Sequence, residues 1–231
     1  MCALELERED DPERLGPWPF EIGLWVGKAV TPNKMGFKGG KGADAEGSAR
    51  SKTNRYKTDS RRHPSPIPLE NCPWCGEEFT KDSFSLEPDA DRPNELRVVC
   101  SSLGCDFDGQ RTLPIVAVDE TIYRRLPAFI IATVDKFAAL PFTGETGLLM
   151  GGATRSDSQG FYGPMASGTG KKLETPLLPP DLIIQDELHL ISGPMGTMAG
   201  LYETALEMLA TRTSAEGKTI RPKIVASTAT A

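Results

Sequence analysis

Leu182-Ile183-Ile184-Gln185-Asp186-Glu187-Leu188-His189-Leu190-Ile191 is the stretch that decides how the fold is read. Pro179-Pro180 and Asp181 stop whatever precedes it, and Leu182, Ile183 and Ile184 form an apolar run too short for a helix, ending in two carboxylates. That is the pattern of a buried parallel strand. In open α/β sheets ligands sit beyond the carboxyl ends of the strands, where Asp186, Glu187 and His189 would emerge. Carboxylates there can hold a magnesium ion and orient a water against a phosphate. The plainer alternative is that Asp186 caps the following helix, with Glu187 favoured in its first turn by the helix dipole.

About forty residues on, Ile224-Val225-Ala226 repeats the buried-strand pattern and runs into Ser227-Thr228-Ala229-Thr230. Between the two strands, Met198, Leu201, Tyr202, Ala205, Leu206 and Leu209 recur at helical spacing, so a helix is expected from Met195 to about Arg212 with that stripe facing the core. Strand, helix and strand in this order make a parallel sheet.

Outside this region, two close cysteine pairs stand out: Cys72-Pro73-Trp74-Cys75-Gly76 and Cys100-Ser101-Ser102-Leu103-Gly104-Cys105. Such spacings let short turns aim backbone amides at thiolate sulfur, and a four-cysteine tetrahedral zinc site is expected. The 24 residues between the pairs hold Phe79, Phe84, Leu86 and Leu96-Arg97-Val98-Val99, which suit a hairpin of a zinc ribbon. Four thiolates close the coordination sphere, so the metal would be structural and not hydrolytic. Cys2 stands apart from both pairs. The acidic start, Glu5 to Asp11, is no signal peptide, and no apolar run is long enough to span a bilayer. A cytoplasmic chain using cysteines for metal is the expectation, with no membrane partner.

The 23 Gly and 19 Pro point to much loop or insert. The net charge of −6 does not advertise nucleic-acid binding, but it is unevenly spread. From Lys28 to Arg62 ten Lys and Arg face three Asp and Glu, a local net of +7 that leaves −13 elsewhere. Hydrophobic residues nearly vanish there, so a flexible arm is expected. Phosphate contact and a solvated linker are both open readings of its charge. Ahead of it, Ile22, Leu24 and Val26 alternate like a half-buried strand, and Trp18 and Trp25 read as core before they read as a stacking platform for bases.

After the cysteines, Leu113 to Val118 reads as a strand and Asp119 to Leu126 as a short helix. Asp119-Glu120 is a second acidic pair behind an apolar run, but no His follows two positions after the Glu, and Asp119 fits an N-cap. Phe129 to Thr133 is a buried strand followed by a helical turn, Asp135 to Leu140. Residues 142–178, rich in Gly, Ser and Thr, read as an exposed loop insertion. Its Ser167-Gly168-Thr169-Gly170-Lys171-Lys172 is not a phosphate loop: Met165 stands where the first Gly belongs and Lys172 where Ser or Thr belongs.

Asp186-Glu187-Leu188-His189 and Ser227-Thr228-Ala229-Thr230 resemble motifs II and III of the superfamily 2 (DEAD/DEAH-like) helicases, in order and at a fitting separation. Thr133-Val134-Asp135-Lys136 stands in the place of motif Ib. The resemblance covers roughly residues 113–231. Ile22-Gly23-Leu24-Trp25-Val26-Gly27 and the four-cysteine insert also resemble large bacterial helicase-like proteins of phage-defence loci such as DISARM. The resemblance implies an α/β fold: part of a RecA-like P-loop NTPase domain, a parallel sheet flanked by helices, with a small zinc-ribbon insertion. Its parts would be 1–32, a strand-containing segment of the RecA-like domain; 33–66, a flexible basic linker; 67–112, the ribbon; and 113–231, the RecA-like core.

The same resemblance implies that Asp186 holds the Mg2+ of bound ATP through water and Glu187 polarises the attacking water. His189, Ser227, Thr228, Ala229 and Thr230 would couple nucleotide state to the grip on nucleic acid, DNA or RNA, which Thr133 and Lys136 would contact. Cys72, Cys75, Cys100 and Cys105 would hold structural Zn2+. Within these residues no Walker lysine precedes the motifs and no second RecA-like domain follows. The expectation is therefore an interior piece of a longer helicase, inactive alone, with the remaining polypeptide and defence-system subunits as partners. The alternative is a non-catalytic zinc-ribbon module on a degenerate NTPase core that binds nucleic acid or protein.

Overall fold

The computed structural model describes residues 1–166, 169–186 and 196–227. The chain forms two compact units, Met1–Lys136 and Phe137–Ala231. The fold is mixed α/β, with parallel strands, flanking helices and a four-cysteine cluster, as expected of a partial RecA-like domain with a ribbon insertion.

The first unit opens with α1 (Cys2–Asp10) and α2 (Pro12–Leu15), the latter capped by the Asp11 carboxylate on the Arg14 amide. Strand β1 (Ile22–Trp25) follows, then α3 (Ala43–Glu46), α4 (Ala49–Thr58), the hairpin β2 (Phe84–Glu87) and β3 (Glu95–Val98), β4 (Ile115–Val116), α5 (Asp119–Arg125), β5 (Phe129–Ala132) and the start of α6 (Val134–Ala139). β1 lies centrally between β4 and β5, parallel to both, with Ile22 opposite Ile115 and Phe129. The Trp residues are structural. Trp25 is buried, donates to the Tyr123 hydroxyl at 3.1 Å and meets that ring edge-on. Trp18 donates to the Arg125 carbonyl at 2.9 Å, and the Arg125 guanidinium stacks on its ring while pairing with Glu21 at 2.7 Å.

The basic stretch read as a flexible linker instead carries an ordered helix. Ser48 caps α4 by accepting the Ser51 amide, and Ala49, Thr53 and Tyr56 are buried along one side. The Tyr56 hydroxyl donates to the Phe79 carbonyl at 2.9 Å, and its ring packs edge-on against Phe84. Met35, Ala49, Tyr56 and Ile67 join Phe79, Phe84, Leu96, Val98 and Phe107 of the ribbon, Ile115 of β4, and Leu113 and Val118 flanking that strand, in one core. Few apolar residues suffice here because the ribbon supplies the surface against which they are buried.

The acidic pair at the start of α5 corrects the N-cap reading. The cap is Val118, without a side-chain bond, and Asp119 is the first helical residue. Its carboxylate takes the Lys136 ammonium at 2.6 Å, both side chains 8% exposed, and Lys136 also reaches Asn33 at 3.1 Å. Burial holds the Asp119 carboxyl above its ordinary pKa, with the Lys136 ammonium pulling the other way. Glu120 accepts the Met35 amide at 2.7 Å and pairs with Lys34.

In the second unit the region read as a loop insertion contains an antiparallel sheet, β6 (Arg155–Asp157), β7 (Gly160–Tyr162) and β8 (Lys171–Lys172), with β6 central. Asp157 closes the β6–β7 turn by accepting the Gln159 and Gly160 amides at 2.8 and 3.1 Å. Lys171 and Lys172 lie in this sheet, not at a strand-to-helix phosphate loop; Ser167 and Gly168 fall outside the described residues. Then come β9 (Leu182–Gln185), α7 (Gly196–Ala210), the short antiparallel pair β10 (Arg212–Thr213) and β11 (Thr219–Ile220), and β12 (Lys223–Ala226). β9 and β12 pair in parallel, Ile183 opposite Ile224 and Gln185 opposite Ala226.

Candidate metal centre and acidic strand-end site

The four cysteines sit on two knuckles at one end of the β2–β3 hairpin. In the first, Cys72 donates its amide to the Glu77 carbonyl at 2.7 Å and accepts the Gly76 amide at 2.9 Å, which folds the chain back on itself. Gly76 has φ +83°, a conformation that costs other residues strain. In the second, the Cys100 amide donates to the Phe107 carbonyl at 2.6 Å, and the Ser102 and Phe107 amides point at the sulfurs of Cys100 and Cys105, each at 3.4 Å. Trp74 ties the knuckles together: its indole donates to Asp106 at 2.8 Å and its ring meets Phe107 edge-on.

All four Sγ atoms lie within 4.8 Å of one another, with Cys75 to Cys100 at 3.5 Å and Cys72 to Cys105 at 4.0 Å. Thiolates about 2.3 Å from a tetrahedral ion would stand about 3.8 Å apart. The cluster is positioned to hold a metal ion, and Cys2 is not part of it. Their titration differs by surroundings: the Glu77 amide draws Cys75 below the ordinary thiol range, while burial pushes Cys100 up and Cys105 up to about 12. A cation among them supplies the opposite charge that makes buried thiolates tolerable.

The second site lies at the carboxyl ends of β9 and β12. Continuing their parallel register by one residue places Asp186 beside Ser227. The Ser227 hydroxyl donates to the Asp186 carboxylate, and its amide donates to the Gln185 carbonyl at 2.8 Å. Gln185 reaches across to Glu203 of α7 at 3.1 Å, which ties strand end to helix. An exposed carboxylate fixed by a hydroxyl at the end of a parallel strand is a hard oxygen ligand suited to a hydrated magnesium ion. Glu187, His189, Thr228, Ala229 and Thr230 lie outside the described residues.

Thr133 and Lys136 part company. Thr133 is exposed just past β5, its amide donating to the Trp25 carbonyl at 3.3 Å. Lys136, expected at a nucleic-acid backbone, points inward to Asp119 and Asn33. A phosphate contact would require breaking that buried pair. The Asp119–Lys136 clamp had no signal in the sequence, because the partners are distant in the chain and meet only through the fold.

No protein-family model matches the chain. It is 35% identical, over 243 residues, to the DISARM protein DrmA of Bacillus paralicheniformis, an alignment that takes in 100% of this chain and 20% of that protein. The chain thus spans about one-fifth of the length of the curated relative it matches. Among the described residues no helix is long and apolar enough to cross a membrane.

Proposed function

We propose that this chain is part of the motor core of an ATP-dependent nucleic-acid helicase or translocase belonging to a DISARM-type defence system. The observation that carries the reading is the pairing of Asp186 with Ser227 at the ends of two adjacent parallel strands. It is where a nucleotide-bound magnesium ion and its coupling hydroxyl need to meet. The similarity to the DISARM protein supports the biological setting.

In this reading Asp186 holds the Mg2+ of ATP through water, oriented by Ser227. Glu187 polarises the water that attacks the terminal phosphate, and His189, Thr228, Ala229 and Thr230 transmit nucleotide state to the nucleic-acid grip. ATP with its ion would supply the phosphoryl group and the charge that Asp186 balances at the strand end. Thr133 touches the nucleic-acid backbone from the end of β5. Cys72, Cys75, Cys100 and Cys105 hold one Zn2+, which closes the ribbon and, with all four positions filled by thiolate, does no hydrolysis. The rest of a longer polypeptide and other defence subunits complete the machine.

The test is phosphate release by a protein extended to the length of the relative, with and without single-stranded DNA or RNA. Nucleic acid should stimulate turnover, and Asp186→Asn should abolish the magnesium-dependent part of nucleotide binding. Turnover and binding indifferent to Asp186→Asn would show that the strand end does not handle nucleotide and would favour a binding module without catalysis.

A further inference from the structure

The basic loop that precedes α4 forms, with the β2–β3 turn, an open cavity of about 590 Å3. That volume falls within the range of ligand pockets. Its floor is apolar, made by Met35, Ala45 and Pro93, and Lys34, Lys41 and Arg92 are exposed at its margin. Into it stands Phe37, 60% exposed, a large ring for a soluble protein to leave in water. We propose that this cavity holds one unpaired nucleotide of a nucleic-acid strand, its base stacked on Phe37 and its flanking phosphates on Lys34, Lys41 and Arg92. The inference rests on the reading of the chain as part of a nucleic-acid motor and places a strand contact on the inserted segment.

The loop is held in shape, so the cavity is formed before any ligand arrives. Lys38 donates its amide to the Asp91 carbonyl at 2.7 Å and pairs with the Asp91 carboxylate at 2.9 Å. The Lys34 and Met35 carbonyls accept the first amides of α4 at 2.9 and 3.0 Å. A tight turn brings the Gly40 amide to the Phe37 carbonyl at 3.2 Å, and a Cβ at Gly40 would stand 3.7 Å from Cζ at the tip of the Phe37 ring. Glu120, the acidic residue of the lining, is engaged by the Met35 amide and by Lys34. The Lys34–Glu120 contact is an exposed pair at 3.1 Å, of the kind worth little in water.

An aromatic ring over an apolar floor with cations at the margin is how sequence-tolerant proteins hold single strands: stacking for the base, charge for the backbone. An acidic peptide would use the cations and leave the ring without a partner. Strand binding fits both features.

The experiment titrates a fluorescein-labelled, mixed-sequence single-stranded 15-mer with the 231-residue chain and follows anisotropy across a salt series. Phe37→Ala should weaken binding roughly 5- to 150-fold, the range for one lost stacking contact. Lys41→Glu with Arg92→Glu should weaken it and flatten the salt slope by about 1.4, two single-strand phosphates' worth. The equally large charge reversal Lys57→Glu with Arg61→Glu, on the exposed side of α4 and beyond it, should weaken binding less. Thermal melting of each variant confirms that the fold is kept. Unchanged affinity in Phe37→Ala, equal loss from the two charge reversals, no binding of the 15-mer, or equal displacement by poly-glutamate would each overturn the proposal. None of these outcomes bears on phosphate release by the longer protein, which tests the motor reading separately.

Discussion

Replacing Lys136 by Met removes the cation from a pair in which both side chains are 8% exposed, and leaves Asp119 buried. The cost has a ceiling. An unpaired buried carboxylate escapes its desolvation by taking a proton, and at pH 7 that costs the roughly three pH units above the ordinary carboxylate value, at about 1.36 kcal/mol each, or about 4 kcal/mol. Measured losses on breaking buried pairs, about 3–5 kcal/mol, agree with this ceiling. The sign of the pH dependence follows. Burial already raises Asp119, so the folded chain binds more proton than the unfolded one above the ordinary carboxylate value, and stability falls as pH rises through that window. Without Lys136 the window extends upward. The deficit of Lys136→Met relative to wild type should therefore grow as pH rises above the ordinary carboxylate value, by up to about 1.4 kcal/mol per pH unit. Urea unfolding of both proteins at several pH values reads this directly, and Asp119→Asn with Lys136→Met should recover most of the loss. A deficit under 1 kcal/mol at pH 7, or one that does not change with pH, would refute the account of Lys136 as a buried clamp.

The purified chain should carry one zinc; Cys72→Ser, Cys75→Ser, Cys100→Ser and Cys105→Ser should each lose it with the ribbon's fold, and Cys2→Ser should keep it, as metal analysis and near-ultraviolet circular dichroism would record. Chelator treatment should likewise melt the shared core, because Phe79, Phe84 and Phe107 pack with Tyr56 and Leu113. Ser48→Ala should lower stability by about 0.5–2 kcal/mol through loss of the α4 cap, measured by urea unfolding. Gly36→Ala should cost about 1–3 kcal/mol by the same assay, since φ there is +76° and an added Cβ would stand 2.4 Å from the Ser48 hydroxyl.

The strands and knuckles were legible because their signals are local. Leu182 to Ile184 and Ile224 to Ala226 are apolar runs with clear stops, and the structure pairs them in parallel, but Leu182, Ile184, Ile224 and Val225 are exposed, so the burial their pattern announced is not found among the described residues. The cysteine spacing likewise announced the cluster. What escaped the sequence depends on partners distant in the chain. The segment around α4 looked too polar to fold, yet Ala49, Thr53 and Tyr56 need only the ribbon's aromatic residues to be buried. Asp119 looked like a cap because Lys136 gives no sign of turning inward. The β6–β7–β8 sheet was hidden for another reason. Arg155-Ser156-Asp157 has no apolar alternation, and its pairing relies on backbone bonds and one Asp-closed turn.

The claim that the Asp186-Glu187 pair, and not Asp119-Glu120, is the acidic centre of a nucleotide-driven motor is tested most directly by ATP turnover in the longer protein carrying Glu187→Gln. Turnover should fall by about 10²- to 10⁴-fold, the range for losing a positioned base, while nucleotide still binds. Unchanged turnover in Glu187→Gln, with turnover abolished instead by Glu120→Gln, would contradict the account.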